Sequence, residues 1–266
     1  MTTKTQKPAT PAGTARRAQR LFAVASGKGG VGKTWFSITL AHALAMQGKK
    51  VLLFDGDLGL ANIDVQLGLL AKRDLNDVIE GNLTLAQVVQ HYEAGGFDVI
   101  AGRSGHGSLA AIALPRLQET LEHIRGLLSQ YDAIIIDLGA GIDRTVRFMA
   151  AAADTTFVVT TDEPTALTDA YAFIKLSHQA GHGDNLHIVV NMTGSEKEGT
   201  GTYNTILKAC KNFLKISPPL MGIIRQDKRV REAIRAQTPF LTRSPSSETA
   251  DDIEKIARRV VAEILA

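Results

Sequence analysis

The sequence predicts an α/β fold in which a doubly wound, mostly parallel sheet is flanked by helices. Short apolar runs alternate along the chain with longer segments whose apolar residues recur at helical spacing. In addition, the first apolar run leads directly into a glycine-rich loop and then into a helical segment. Such alternation builds a parallel sheet covered on both faces, and ligands then bind at the carboxyl ends of its strands.

The predicted elements follow this rhythm in chain order. The apolar runs predict strands at 21-25, 50-54, 97-101, 133-136, 155-160, 186-190 and 220-224. The periodic segments predict helices at 35-46, 115-130, 165-179, 203-214, 228-236 and 247-265. The glycine-rich tract 194-201 is expected to be a mobile surface loop.

Composition limits the classes of protein. The 266 residues are 44% hydrophobic with no change in composition along the chain, which suits one large core or two small ones. The sequence contains no run of 18 apolar residues, so no membrane span is predicted. The single cysteine, Cys210, rules out an internal disulfide and most zinc sites. We expect a cytoplasmic protein.

The first 20 residues differ in charge from the rest. They contain five basic residues and no acid, namely Lys4, Lys7, Arg16, Arg17 and Arg20. Subtracting these charges from the overall +3 leaves −2 on residues 21-266. We expect 1-20 to be a disordered basic arm, acting either as a solubilising tail or as a contact for anionic lipid, nucleic acid or an acidic partner, and 21-266 to be a single domain.

Residues 26-34 read Ser-Gly-Lys-Gly-Gly-Val-Gly-Lys-Thr and predict a phosphate-binding loop. Gly27, Gly32, Lys33 and Thr34 satisfy the G-x-x-x-x-G-K-[ST] pattern between a strand and a helix. In that pattern backbone N–H groups surround the phosphates, the lysine reaches the outer phosphates and the hydroxyl holds Mg²⁺. The fold class is therefore that of a P-loop NTPase.

Lys28 is a second lysine in this loop, at a position where the common pattern needs none. The string GKGGVGKT resembles the deviant Walker A box of the MinD/ParA ATPases. In that family the early lysine crosses a dimer interface to the partner's nucleotide. The resemblance implies ATP and Mg²⁺ as ligands, an ATP-dependent homodimer, and a catalytic role for Lys28 in stabilising charge on the phosphoryl oxygens, as an arginine finger does. A solvated loop lysine is the alternative.

Acidic residues end two predicted strands and complete the phosphate site. Asp137 resembles the Walker B acid and would hold the Mg²⁺ hydration shell. Asp55 and Asp57 resemble the family's switch I segment, in which Asp57 positions the attacking water and Asp55 supports Mg²⁺ and the loop. A turn-forming Asp-Gly pair is the alternative for this segment.

Contacts to the base are expected from two later segments. Asn191 ends a predicted strand where the family places an asparagine that reads adenine, although a simple strand-terminal asparagine is possible. Arg225, Gln226 and Asp227 fall where relatives pack backbone against adenine, but relatives usually have proline where Arg225 stands. Trp35 replaces a common threonine, so its backbone N–H would contact the α-phosphate. The expected nucleotide contacts are Gly27, Lys28, Gly29, Gly30, Val31, Gly32, Lys33, Thr34, Trp35, Asn191, Arg225, Gln226 and Asp227, and the expected metal ligands are Thr34, Asp55, Asp57 and Asp137.

Three longer strings, 57-65, 76-81 and 162-171, resemble the FlhG/FleN branch of the family, whose members limit flagellar number. This resemblance implies a weak Mg²⁺-dependent ATPase that regulates flagellar number or placement. It also implies an FlhF-like GTPase and a flagellar transcription or basal-body protein as partners. An N-terminal Asp-Gln-Ala-x-x-Leu-Arg motif is absent, and no amphipathic extension follows the last helix. Membrane contact is therefore expected to be at most peripheral, at the inner membrane or cell pole.

Three other functions remain open at this point. A ParA-like ATPase would bind DNA or position cargo, but the mixed charge of the C-terminal third gives nucleic acid only weak support. A MinD-like protein would regulate the placement of cell division. A regulator that binds nucleotide without turnover is the third.

Overall fold

A computed structural model describes residues 20–57, 59–69, 73–102 and 113–265. The strands are β1 (Leu21–Ser26), β2 (Val51–Gly56), β3 (Gln90–Tyr92), β4 (Phe97–Ile100), β5 (Ala133–Ala140), β6 (Thr155–Thr160), β7 (Leu186–Thr193) and β8 (Leu220–Arg225). The helices are α1 (Lys33–Met46), α2 (Ile63–Leu67), α3 (Leu75–Ile79), α4 (Leu85–Val88), α5 (Leu114–Gly126), α6 (Arg144–Ala152), α7 (Pro164–Gln179), α8 (Glu196–Ala209), α9 (Lys228–Arg235), α10 (Phe240–Arg243) and α11 (Glu248–Glu263).

The eight strands form one sheet in the order β3-β4-β2-β5-β1-β6-β7-β8. All neighbours pair in parallel except β3 and β4, which are antiparallel. The predicted α/β class and all seven predicted strands are confirmed. β3 was not predicted, because its three residues Gln-His-Tyr form no apolar run and become a strand only through pairing with β4.

The sheet is buried on both faces, which explains why its strands read as continuous apolar runs. In β1, Phe22 and Val24 face a core shared with α1 and α11, whereas Leu21 and Ala23 face a second core shared with α5, α6, α7 and α8. Because the paired strands are parallel, their carboxyl ends lie at one edge of the sheet, where the loops form the site.

Two local expectations were wrong. Tract 194-201 is not a loop, because Ser195 caps α8 by accepting a hydrogen bond from the Glu198 N–H (3.2 Å) and the helix starts at Glu196. Gly199 serves packing: a Cβ on it would lie 2.3 Å from Cγ2 of Ile223 on β8. Arg20 does not belong to a free arm, since its backbone N–H donates to Asp154 Oδ2 (3.2 Å).

The other residues of the predicted arm, 1-19, lie outside the described residues. In the part of the chain that the structure describes, no helix has the length and apolar character that a bilayer crossing requires.

Candidate nucleotide-binding site

The phosphate loop leaves the centre of the sheet, because β1 lies between β5 and β6. Gly30 and Gly32 have φ values of 81° and 88°, in the left-handed region that glycine adopts without strain. A Cβ on Gly27 would lie 2.1 Å from the Asp169 carbonyl oxygen. The loop conformation therefore requires glycine at these three positions.

The loop ends at the first turn of α1, which supplies hydrogen-bond donors for phosphate. The Phe36 N–H donates to Gly32 O (2.9 Å), so the N–H groups of Lys33, Thr34 and Trp35 precede the helical hydrogen-bond ladder. The positive end of the helix dipole adds to their attraction for an anion. The Trp35 N–H is thus one of these donors at the start of α1, and its contact with the α-phosphate stays a prediction.

Trp35 itself is anchored in the core. Its indole packs edge-on against Phe240 of α10, with ring centroids 5.5 Å apart. It is the only tryptophan of the chain, so its fluorescence reports on the helix that begins at the phosphate loop.

Two buried carboxylates lie beside the loop. Asp55 on β2 and Asp137 on β5 are register partners, so the sheet brings them side by side. Burial, and then the nearby Asp137 charge, raise the pKa of Asp55 to about 8. Burial is also the main cause that raises the pKa of Asp137 to about 6, against hydrogen bonds from Thr34 and Ser37. The Ser37 hydroxyl donates to Asp137 Oδ1 at 2.8 Å.

A cation is the natural complement of this pair. Lys33 is a buried cation near Asp137 and Asp57: burial lowers the pKa of Lys33, and the charges of these two carboxylates act in the opposite direction. Carboxylate and hydroxyl oxygens are the ligands that Mg²⁺ prefers. Asp55, Asp137 and Thr34 therefore fit a magnesium site, and their ligand roles stay predictions.

Asp137→Asn should stabilise the protein without nucleotide or metal. Because the folded pKa of Asp137 (about 6) exceeds its ordinary value of 3.8, the folded state binds more protons, and the free energy of unfolding falls as pH rises through this interval. The substitution removes this pH-dependent loss, which is at most about 3 kcal/mol. Thermal unfolding with EDTA at pH 5 and pH 7.5 measures it.

The matched control is Asp162→Asn, at an exposed carboxylate. It should leave both melting temperatures unchanged. With Mg²⁺ and ATP the order should reverse, because the wild type gains stability from the bound ligands and Asp137→Asn loses the metal. A variant that melts at the wild-type temperature in EDTA at both pH values would contradict the assigned electrostatics.

The loop after β2 is organised by Asp55. Its carboxylate accepts backbone N–H groups from Asp57 (3.2 Å), Asn62 (3.1 Å) and Ile63 (3.2 Å). Asp57 in turn accepts the Leu60 N–H at 3.0 Å. A change in the charge of Asp55 would therefore alter the strength of the hydrogen bonds that hold the loop carrying Asp57.

The Asp57 carboxylate lies beside Gly139 at the end of β5. A Cβ on Gly139 would lie 3.3 Å from Asp57 Oδ1, so glycine keeps the space for this carboxylate free. Asp57 also acts electrostatically on Lys33 and Asp137. The structure therefore brings the predicted water-positioning residue together with the predicted phosphate and metal residues, and its catalytic role stays a prediction.

Lys28 is held by its own chain. Its ammonium group donates to Glu163 Oε2 (2.6 Å) and to Thr165 Oγ1 (2.8 Å) at the start of α7. The Lys28 and Glu163 side chains are 36% and 62% exposed. This contact was not predicted from the sequence, although both partners lie in string 162-171, which resembles the FlhG/FleN branch.

Asn191 braces the phosphate loop. Its Nδ2 donates to Val31 O (2.9 Å), its Oδ1 accepts the Met192 N–H (2.9 Å), and only 2% of the residue is exposed. A Cβ on Gly32 would lie 2.4 Å from the same Nδ2. The structure thus gives Asn191 a supporting role, and its reading of adenine stays a prediction.

The segment 225-227 makes structural contacts through the side chains of Arg225 and Asp227 and the backbone of Gln226. The Arg225 guanidinium forms ion pairs with Asp252 (2.8 Å) and Glu248 (2.7 Å) on α11. Asp227 caps α9 by accepting the Arg229 N–H at 2.9 Å, and the Gln226 N–H donates to Thr193 O at 2.8 Å. An adenine contact here would come from the backbone, as the family resemblance implies, and it also stays a prediction.

The fold and this site define a P-loop nucleotide-binding protein. Residues 22–240 match the family model described as the CobQ/CobB/MinD/ParA nucleotide binding domain. The chain belongs to this MinD/ParA-type family.

Three relatives show the extent of the similarity. The chain is 36% identical to the antiactivator FleN of Pseudomonas aeruginosa over 241 residues, covering 91% of this chain and 86% of FleN. It is 33% identical to the flagellum site-determining protein YlxH of Helicobacter pylori, covering 92% and 83%. The solved structure of the septum site-determining protein MinD with Mg-ADP from Pyrococcus horikoshii matches with a TM-score of 0.77 and 26% identity, covering 93% and 98%.

Proposed function

We propose that the protein is a slow Mg²⁺-dependent ATPase whose ATP-bound dimer regulates flagellar number or placement. The observation that carries this proposal is Lys28, a second cation at the exposed rim of the predicted phosphate-binding loop. The names of FleN and YlxH support the flagellar process, and the MinD complex supports Mg²⁺ and an adenine nucleotide.

The residues can divide the hydrolysis reaction among them. Lys33 and the first N–H groups of α1 bind the outer phosphates, and Thr34, Asp55 and Asp137 hold Mg²⁺, which neutralises phosphate charge when it is bound. Asp57 orients a water molecule toward the γ-phosphorus. A bond forms from the water oxygen to this phosphorus, the bond to the β-phosphate oxygen breaks, and ADP and phosphate are the products.

Lys28 makes this reaction depend on a second subunit. From the rim of one site it would reach the triphosphate of the partner and stabilise transition-state charge there. Partner proteins that recognise only the dimer would then respond to ATP, because ATP supplies the affinity difference between the two states. An FlhF-like GTPase and a flagellar transcription or basal-body protein are the proposed partners.

Light scattering after gel filtration tests the switch. We expect a dimer with Mg²⁺ and ATP, a monomer with ADP, and phosphate release that rises with protein concentration. Expression in a bacterium that lacks its FleN-type regulator should restore flagellar number. The same molecular mass with ATP and with ADP would contradict the ATP-dependent dimer. An unchanged flagellar number would contradict the flagellar role.

Glu163→Gln should favour the dimer at lower ATP concentration. In the monomer this carboxylate holds Lys28 in place, and an exposed ion pair contributes about 0.2–1 kcal/mol. Releasing Lys28 should therefore lower the half-maximal ATP concentration up to about fivefold. If the half-maximal ATP concentration rises instead, Glu163 contributes to the dimer itself.

A further inference from the structure

The turn that follows α8 places an aromatic ring in water. Residues Cys210–Leu214 form a π-helical turn, and Lys215 then adopts a left-handed conformation (φ 59°). The turn keeps Cys210 fully buried, whereas Phe213 is 74% exposed. π-Helical turns are rare and frequently occur at functional sites, so this geometry calls for an explanation beyond packing.

Three lysines lie close to Phe213 in the chain. Between Glu198 and Asp227 the sequence contains no acidic residue, and Lys208, Lys211 and Lys215 lie in the α8 turn region. Within the described residues none of the three forms a salt bridge. The Lys215 ammonium donates to Asn212 O at 2.9 Å.

The neighbouring element adds little negative charge. The π-helical turn packs against α7, whose last two turns carry Lys175 and His178 and no acid. The acid that follows them is Asp184, which is exposed in the next short turn. The surface around Phe213 is thus an apolar ring in a cationic surrounding.

This surface projects outward. Most of residues 211-217 are exposed, and the cavities beside α7, β8 and α10 involve none of them. An outward-facing turn of this kind suits a soft anionic surface, because such a surface needs no groove for docking. An aromatic ring with lysines around it is the combination that resides in the interface of anionic bilayers.

We propose that residues 208-215, the lipid tip, dock on an anionic lipid bilayer, with the Phe213 ring in the interface and the three lysines against the headgroups. The tip lies at the amino ends of the strands, because α8 runs back from the end of β7 to the start of β8. The length of α8, about 20 Å, separates the tip from the edge of the sheet that carries the phosphate loop. Docking there leaves the nucleotide site accessible.

Binding at this tip should be weak and reversible. A lysine near an anionic membrane surface contributes about fivefold in affinity, and one aromatic ring adds a contribution of similar size. The tip therefore differs from an anchor that inserts a whole apolar helix.

Vesicle sedimentation of the full chain tests the proposal. The wild type should sediment with vesicles that contain phosphatidylglycerol and not with pure phosphatidylcholine. Phe213→Ala should weaken this binding about fivefold, and Phe213→Trp should preserve or strengthen it, because tryptophan favours the membrane interface. A triple change, Lys208→Gln, Lys211→Gln and Lys215→Asn, should reduce binding toward the phosphatidylcholine level. Asparagine at position 215 tolerates the left-handed backbone.

Lys197→Gln, at the opposite end of the same helix, is the matched control and should bind like the wild type. All variants keep the basic residues 1-20, and ATP turnover should be unchanged in each of them. Binding that survives both Phe213→Ala and the triple change would place the lipid contact elsewhere in the chain. If the wild-type protein does not sediment with phosphatidylglycerol vesicles, the tip binds a protein partner and not a bilayer. Either result overturns the proposal.

Discussion

Lys28→Ala should abolish the ATP-dependent dimer and reduce phosphate release about 100-fold or more, the size of effect seen when one transition-state donor is removed. The side chain lies at the exposed rim of the phosphate loop, and Lys33 already supplies the buried cation of the same site. ATP binding to the monomer should therefore survive. Gel filtration with light scattering, phosphate release, and Trp35 fluorescence for nucleotide binding measure these three quantities.

Two variants separate this role from simpler explanations. Glu163→Gln breaks the same intramolecular ion pair while it keeps Lys28, so it should still dimerise. Lys33→Ala should lose nucleotide binding altogether. If Lys28→Ala dimerises and hydrolyses ATP like the wild type, Lys28 is a solvated loop residue and the dimer proposal loses its structural basis.

Asp57→Asn should trap the ATP-bound dimer. The amide retains an oxygen that can accept the Leu60 N–H, so the loop conformation should persist. The negative charge that orients the attacking water is lost, however, and turnover should fall about 100-fold or more. Single-turnover hydrolysis measures the chemical step, and light scattering measures the lifetime of the dimer.

Asp57→Ala is the companion variant, because it removes both the charge and the hydrogen bond to the loop. If only the alanine variant loses turnover, the carboxylate serves the loop and not the water. Normal hydrolysis by both variants would transfer water positioning to another residue.

Sequence patterns were sufficient where a feature depends on neighbours along the chain. The phosphate loop was predicted because its glycines, Lys33 and Thr34 lie within nine residues, and the strands because burial on both faces produces continuous apolar runs. Asp55 and Asp137 were predicted at the site because parallel strands end at one edge. In contrast, β3 was missed, and tract 194-201 was misinterpreted because glycine allows close packing as well as loop flexibility.

What the sequence by itself determined is therefore the α/β class, the phosphate loop and the set of acids at the strand ends. Only the tertiary structure decided that Asp55 and Asp137 are register partners, that Asn191 braces Val31, and that Glu163 holds Lys28. The last two contacts join residues more than 130 positions apart. Local patterns record propensity and burial, whereas the order and register of strands arise from packing the whole chain, so contacts of this kind are visible only in the folded protein.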